Sequence, residues 1–216
     1  MGGFSIRFGM HSGKEETMKT AITGGTGFIG RPLVKTLLER GDEVRVLSRR
    51  PADTTSTSQG ARWSQGDFRH PIDPTFLSGV DTLYHLAAEL NKPEEMEAVN
   101  VQGTANLLSA ATKAGVRRWI QLSSIGVYGP PKGLLVTEET TPEPANEYER
   151  TKLASDRLLD ETCQRSDMDY VIFLLAHAER LRRMFTSKTL STHLLHAKKP
   201  QWEVFITYPA IVLGRC

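Results

Sequence analysis

Short apolar runs alternate with amphipathic patterns along the chain from Met18 onward. Runs of apolar and β-branched residues predict strands, and apolar residues at spacings of three and four predict helices. The predicted strands are Lys19–Thr23, Glu43–Leu47, Ala61–Gln65, Asp81–Leu86, Arg118–Ser123 and Tyr170–Leu175. The predicted helices are Phe28–Arg40, Glu94–Ala114 and Glu147–Arg165. This alternation predicts right-handed β-α-β units, and therefore an α/β fold with a parallel sheet.

The two ends of the chain fall outside this alternation. Residues 1–17 are glycine-rich and aperiodic, and we interpret them as a disordered extension before the domain, which covers 18–175. The composition changes after residue 175. His177–Lys199 carries six lysines and arginines against the single acid Glu179, and its leucines predict a helix with a solvated, charged face. We interpret 176–216 as an atypical basic tail.

A glycine-rich turn, T-G-G-T-G-F-I-G, joins the first strand to the first helix at Thr23–Gly30. Such glycines allow a strand to turn sharply, a pyrophosphate to approach the backbone, and the next helix to pack close to the sheet. The anion would lie on the N–H groups at the start of that helix. The strand before and the helix after the turn support a dinucleotide site. Its predicted residues are Gly24, Gly27, Phe28, Ile29 and Gly30.

Two further stretches place reactive side chains near that turn. Gln121–Gly129 reads Q-L-S-S-I-G-V-Y-G and puts hydroxyl groups at the carboxyl edge of the sheet, where open α/β folds bind ligands. Tyr148 and Lys152 lie four residues apart on the next helix, and therefore on one face. An adjacent ammonium and an oxidised nicotinamide favour the phenolate, so we predict a lowered phenol pKa and a role as general acid or base.

Together these motifs resemble the extended short-chain dehydrogenase/reductase family, the NAD(P)-dependent epimerase/dehydratase group. Other motifs in the family's order are Gly66-Asp67 after the third strand, His85–Ala88 after the fourth, and Asn100–Thr104 in the long helix. The resemblance covers Met18 to about Leu175. It implies a Rossmann-like doubly wound parallel sheet with helices on both faces. It also implies a C-terminal substrate domain, which is largely missing from this chain.

The resemblance implies specific roles for several residues. Tyr148 would be the general acid/base, and Lys152 would hold the nicotinamide ribose and lower the phenol pKa. Ser124 would hydrogen-bond the reacting oxygen, with Ser123 as the alternative, since adjacent residues face opposite ways. The chemistry would be hydride transfer on a nucleotide sugar or a similar hydroxyl or keto substrate. Further implied cofactor contacts are Asp67, Phe68, Leu86, Ala87 and Ala88, with a turn-forming role as the alternative for Asp67.

The end of the second strand bears on the choice of cofactor. An NAD site uses an acid there to bind the ribose 2′-hydroxyl, whereas a 2′-phosphate needs arginine. This chain has Leu47-Ser48-Arg49-Arg50. We therefore expect NADP to be preferred, with Ser48 and Arg49 at the ribose and Arg49 as the phosphate partner, and NAD as the alternative.

Composition limits the partners, the compartment and the kinds of site that we expect for this chain. The 216 residues are 39% hydrophobic with a net charge of +2, which predicts a soluble domain without a nucleic-acid or membrane partner. Two cysteines and no signal peptide favour the cytoplasm, and Cys163 is expected to be inert. No metal is expected at His177, His193 and His196, because a second ligand pair is missing. A homodimer through the helices Glu94–Ala114 and Glu147–Arg165 is plausible by resemblance.

The sequence leaves two alternatives open. The sixth strand is either Tyr170–Leu175 or Val204–Thr207, because a run typical of the family's sixth strand returns at Tyr208–Gly214. The function is either that of an NAD(P)-dependent enzyme or that of a truncated protein that binds NAD(P) without turnover. His85 is expected to be a packed histidine rather than a catalytic one.

Overall fold

Seven strands form one sheet in the computed structural model, which describes residues 17–50, 59–130, 136, 140–175 and, as backbone only, 210–215. The order in the sheet is β3-β2-β1-β4-β5-β6-β7. Strands β1 to β6 are parallel to their neighbours, and β7 is antiparallel to β6. The strands are β1 (Lys19–Thr23), β2 (Glu43–Ser48), β3 (Arg62–Gln65), β4 (Thr82–His85), β5 (Arg118–Ser124), β6 (Asp169–Leu175) and β7 (Ala210–Arg215).

The helices pack on both faces of this sheet. They are α1 (Gly30–Arg40), α2 (Pro74–Leu77), α3 (Pro93–Met96), α4 (Gly103–Ala114) and α5 (Glu147–Cys163). A π-helical segment, Glu97–Gln102, joins α3 to α4, and a 3₁₀ turn, Ile125–Tyr128, follows β5. Among the described helices, none combines the length and the apolar character that crossing a membrane requires.

Each face of the sheet has its own apolar core. On one face Leu33, Val34 and Leu37 of α1 pack with residues such as Ile22 and Val46. On the other face α4 and α5 contribute buried residues such as Leu107 and Leu159. The α/β, Rossmann-like doubly wound sheet with helices on both faces is therefore confirmed, and its first six strands follow the order typical of dinucleotide-binding folds.

The structure decides which run forms the sixth strand. Asp169–Leu175 pairs in parallel with β5, from Arg118 beside Asp169 to Ser124 beside Leu175. The alternative, Val204–Thr207, lies outside the described residues, as do 1–16, 51–58 and 176–209. The tail does contribute β7, which we did not predict as an added strand, because its apolar run was considered only together with the alternative sixth strand.

Two helical features were also missed. The four residues of α2 are too few to show a period, although Asp73 accepts a hydrogen bond from the Thr75 N–H at 2.8 Å and Pro74 occupies the first turn. The predicted helix Glu94–Ala114 is continuous, but Glu97–Gln102 takes a π-helical path. Apolar spacing does not distinguish this segment from an ordinary α-helix.

Candidate active site

The glycine-rich turn lies against the loop that follows β4. Gly24 has φ of 73°, and its carbonyl accepts a hydrogen bond from the Gly27 N–H at 2.9 Å. A Cβ on Gly24 would lie 2.7 Å from the Ala87 nitrogen, and one on Gly30 would lie 2.1 Å from the Gly24 oxygen. Gly24 and Gly30 are therefore required for backbone packing, because neither position has room for a methyl group.

The start of α1 has no side-chain cap at this edge of the sheet. Ile29 at the N-cap position provides no side-chain cap, and the first turn has no acid. Gly27 and Phe28, directly before this helix start, are exposed. An uncapped helix start with a partial positive charge fits the pyrophosphate of a dinucleotide.

A buried chain of hydrogen bonds connects this turn to the π-helical segment. The Thr23 hydroxyl lies 2.7 Å from His85 Nδ1, and His85 Nε2 lies 3.0 Å from the Thr104 hydroxyl. The Thr104 hydroxyl donates to the Asn100 carbonyl at 2.7 Å. Because Thr104 uses its hydrogen on Asn100, it accepts from His85 Nε2–H, which leaves Nδ1 to accept from Thr23.

His85 is neutral in this chain. It is 1% exposed, and Phe68 and Trp119 lie edge-on to its ring with centroid distances of 5.4 Å each. Burial, and secondarily the charge of Lys152, lower its pKa to about 3. The expectation of a packed histidine is confirmed. Its two ring nitrogens orient Thr23 and Thr104.

Asn100 links the loop after β4 to α5. Its side-chain oxygen accepts from the Glu89 N–H at 2.7 Å, and its side-chain nitrogen donates to the Glu89 carbonyl at 3.0 Å. The same nitrogen donates to the Thr151 hydroxyl at 3.1 Å. Thr151 directly precedes Lys152, so Asn100 connects the two walls of the site.

Tyr148 and Lys152 lie on the first turns of α5. Asn146 caps the helix by accepting from the Glu149 N–H at 3.0 Å, and Glu149 accepts from the Ala145 N–H at 2.7 Å. Tyr148 is partly exposed, whereas Lys152 is 2% exposed. The cap therefore fixes the helix directly at the turn that presents the tyrosine.

The pKa of Tyr148 is shifted in the direction opposite to our prediction. Burial, followed by the negative charges of Asp156 and Glu149, raises it to about 12. Lys152 does not offset this shift, and burial lowers the pKa of its own ammonium. In the protein alone the phenol is therefore protonated at neutral pH.

The two adjacent serines have different surroundings. Ser123 is buried, and its hydroxyl donates to Asp156 of α5. Ser124 is partly exposed, and its hydroxyl oxygen accepts from the Gly126 N–H at 3.1 Å, at the start of the 3₁₀ turn. This arrangement favours Ser124 as the serine that faces a ligand. The Ser123 hydroxyl serves the helix-sheet interface instead.

Asp156 was not predicted from the sequence. Its carboxylate is buried and accepts hydrogen bonds from Gln121 and Ser123 of β5. The available signal was its position four residues after Lys152, which places it on the same helix face as Tyr148 and Lys152. An acid on a helix face usually indicates solvent exposure, so this spacing alone did not predict burial.

At the other end of the site, the implied cofactor contacts Asp67 and Phe68 have partners within the protein. Asp67 pairs with Arg69, whose Nε lies 2.9 Å from Oδ2, and this contact lowers the pKa of Asp67. The Asp67 carboxylate also accepts from the Arg69 N–H, a turn-forming role. The Phe68 ring is buried against His85 and leaves only backbone for a ligand.

The end of β2 presents its basic residues to solvent. Arg49 and Arg50 are exposed, and the Arg49 charge contributes to the lowered pKa of Asp67. Ser48 accepts from the Arg50 N–H at 3.1 Å. The loop after β4, with Leu86, Ala87 and Ala88 partly exposed, continues this edge toward the glycine-rich turn.

Neither a metal centre nor a reactive thiol is found in the described residues. None of them form a group of three or more histidine, cysteine, aspartate or glutamate side chains suited to a metal ion. His177, His193 and His196 lie outside the described residues. Burial raises the pKa of Cys163 to about 12, which disfavours its thiolate.

Comparison with known proteins gives consistent matches. Residues 20–206 match the family described as the NAD dependent epimerase/dehydratase family. The chain is 39% identical over 148 residues to sterol demethylase protein B of Methylococcus capsulatus, covering 64% of this chain and 45% of that protein. It is 34% identical over 155 residues to UDP-glucose 4-epimerase of Streptomyces lividans, covering 65% of this chain and 46% of that protein.

A solved structure agrees with these relatives. A short-chain dehydrogenase/reductase superfamily protein from Agrobacterium tumefaciens with bound NAD superposes with a TM-score of 0.64 at 33% identity. The match covers 71% of this chain and 48% of that one. The chain thus spans about half the length of the curated relatives it matches.

We predict that Gly30→Ala lowers the free energy of unfolding by about 2 kcal/mol or more, because the new Cβ overlaps the Gly24 carbonyl. Gly41→Ala is the matched control. Gly41 has φ of 93°, but a Cβ there would meet nothing within 4 Å, so only backbone strain of about 1 kcal/mol applies. Urea unfolding measures both variants, and equal losses would contradict the close approach at Gly30.

We also predict an acid-dependent loss of stability from His85. Its folded pKa of about 3 lies below the ordinary value of 6.5, so its contribution is complete above pH 6.5 and is lost as the pH falls toward 3. The slope from this group approaches about 1.4 kcal/mol per pH unit. His85→Gln should make the free energy of unfolding less dependent on pH between pH 6 and 5, by an amount that corresponds to about one proton. Urea unfolding at each pH measures this free energy. His70→Gln, which removes an exposed imidazole, is the control.

Proposed function

The chain belongs to the NAD dependent epimerase/dehydratase family, and we propose that it is an NAD(P)-dependent oxidoreductase, epimerase or dehydratase. Its substrate would be a nucleotide sugar or a similar hydroxyl or keto compound. One observation carries the proposal: three features lie at the carboxyl edge of one sheet. They are the uncapped start of α1, the exposed side of Ser124 and the Tyr148–Lys152 face of α5. That edge is where doubly wound folds bind ligands.

The proposed roles follow from the hydrogen-bonding capacity of each residue. When bound, the nicotinamide would supply the hydride donor or acceptor for a carbinol carbon of the substrate. Ser124 uses its oxygen as an acceptor from Gly126, so its hydrogen is available to donate to the substrate oxygen. Tyr148 supplies or removes the proton on that oxygen. Lys152, one turn further along α5, would hold the nicotinamide ribose.

In the protein alone, the high pKa of Tyr148 favours proton donation, which serves the reduction direction of this chemistry. A phenol with a pKa of about 12 is a proton donor at neutral pH, as the reduction of a carbonyl requires. The oxidation direction needs the phenolate. An added positive charge beside Tyr148, such as that of an oxidised nicotinamide, would lower the pKa toward that role.

The proposal includes a preference for NADP over NAD. The exposed Arg49 at the end of β2 supports it, because no acid stands there to bind a ribose 2′-hydroxyl. Asp67 is the acid nearby, and its carboxylate is already paired with Arg69. Arg49 would bind the 2′-phosphate through charge-assisted hydrogen bonds.

The relatives support the proposed substrate class. One acts on a UDP-sugar by its name and another carries a sterol name, and both classes offer a hydroxyl carbon for oxidation. We further propose a homodimer through α4 and α5. Leu153 and Leu158 of α5 are partly exposed and provide apolar surface for that contact.

Replacing the proposed acid/base tests the function. Tyr148→Phe should lower kcat/KM by about 10²- to 10⁴-fold while cofactor binding is retained, because it removes only the proton-transferring hydroxyl. Turnover is measured with a panel of UDP-sugars, sterols and small ketones. Tyr170→Phe is the control, since that hydroxyl donates to Asp160 at 2.7 Å, three turns beyond Tyr148 on α5.

Two outcomes would refute the enzymatic proposal. One is unchanged turnover in Tyr148→Phe. The other is saturable cofactor binding without turnover of any substrate in the panel, which would favour the non-catalytic alternative.

The cofactor preference has its own test. Arg49→Ala should weaken NADP binding by about 10- to 100-fold, the loss of a hydrogen bond to a charged group, and should leave NAD binding nearly unchanged. Arg50→Ala, the adjacent exposed arginine, is the matched control. Fluorescence titration of the unaltered chain and both variants gives a dissociation constant for NAD and one for NADP in each case. Similar affinities of the unaltered chain for NAD and NADP would contradict the preference.

A further inference from the structure

Two opposite charges are buried one helical turn apart on α5. Lys152 is 2% exposed and Asp156 is 8% exposed. Isolated charges at such burial are costly, so each requires partners that offset the lost hydration. The four-residue spacing places both side chains on the helix face that packs against β5.

The carboxylate of Asp156 is held from the sheet. Gln121 donates its side-chain N–H to one oxygen, and Ser123 donates its hydroxyl to the other. The Trp119 indole N–H donates to the Gln121 side-chain oxygen at 3.1 Å, which fixes the amide with its nitrogen toward Asp156. Both oxygens therefore accept from oriented donors, an arrangement that favours the ionised form.

The charged and titratable groups around this pair are few in the described residues. His85 from β4 is neutral, and Ile172 and Leu174 of β6 belong to the apolar core under α5. From α5 itself, Tyr148 is a protonated phenol, and the Glu149 carboxylate binds the Ala145 N–H beside the helix start.

Asp156 is the acid that acts on Lys152. Burial lowers the pKa of the Lys152 ammonium, and the Asp156 charge raises it. Reciprocally, burial raises the pKa of Asp156 above its ordinary value, and Lys152, Ser123 and Gln121 offset part of that rise. Each group thus stabilises the charged form of the other.

We propose that Asp156 is a positioning residue that keeps the Lys152 ammonium charged inside the interface of α5 with the sheet and ties the serine end of β5 to α5. Through Ser123 it fixes the strand position directly before Ser124. Through Lys152 it maintains the cation beside Tyr148. The effect of Asp156 on turnover rests on the proposed function, whereas the effect of Asp156 on the charge of Lys152 does not.

The titration of Lys152 tests the proposal in the full chain. Lysines are labelled with ¹³C at Cε, and the Lys152 resonance is identified by its loss in Lys152→Met. Asp156→Asn keeps the shape of the side chain but removes its charge. The Lys152 pKa should then fall by about one unit or more, a tenfold or greater loss of proton affinity.

Two controls separate charge from other effects. Asp160→Asn removes a charge from the next turn of α5 and should leave the Lys152 pKa unchanged. Ser123→Ala removes the hydrogen bond but keeps the charge, and should shift the Lys152 pKa by less than about 0.3 unit. In an active enzyme, Ser123→Ala should lower kcat, because the position of Ser124 is then less restricted.

The outcomes are distinguishable from failure of the proposed function. An unchanged Lys152 titration in Asp156→Asn, or an equal shift in Asp160→Asn, would overturn the proposal whether or not the chain is active. Absence of turnover in every form would refute only the enzymatic function. If Asp156→Asn does not fold, the reciprocal test uses Lys152→Met with ¹³C-labelled aspartate. There the Asp156 pKa should rise, and an unchanged value would overturn the proposal.

Discussion

The backbone contact between the glycine-rich turn and the loop after β4 is the constraint on which the rest of the site depends. Gly24 meets Ala87 at a distance that excludes any side chain, and Gly30 meets Gly24 in the same way. This contact sets where α1 begins, and so where its uncapped N-terminus lies. Directly before the turn, the pairing of β1 with β4 places Thr23 beside His85, and their hydrogen bond starts the polar chain to Asn100.

Polar groups buried behind this edge hold the two halves of the site together. The chain from Thr23 reaches α5 through Asn100 and Thr151, and a second set of bonds joins β5 to α5 at Asp156. Breaking either set would leave a buried polar group unsatisfied, which costs about 1–3 kcal/mol for each group. The face of α5 that carries Tyr148 and Lys152 is therefore positioned by the interior of the domain, with Tyr148 partly exposed and Lys152 buried.

Local patterns were sufficient for the main architecture. The bounds of β1 and most of the other elements follow from apolar spacing, and the Gly-rich turn, Ser124, Tyr148 and Lys152 follow from motifs. Boundaries differed by a few residues where capping decides the end, as at α1, which begins at Gly30 rather than Phe28. The family was also evident from the sequence, because its motifs occur in a fixed order.

The sequence by itself determined the strand-helix alternation, the glycine-rich turn and the candidate site residues, since each depends on neighbours along the chain. Only the tertiary structure decided that Ser123 and Asp156 are buried together, that Phe68 packs on His85, and that β7 lies antiparallel to β6. The direction of the Tyr148 pKa was decided in the same way. Burial and charge at a site come from residues brought together across the fold, and spacing along the chain does not encode them.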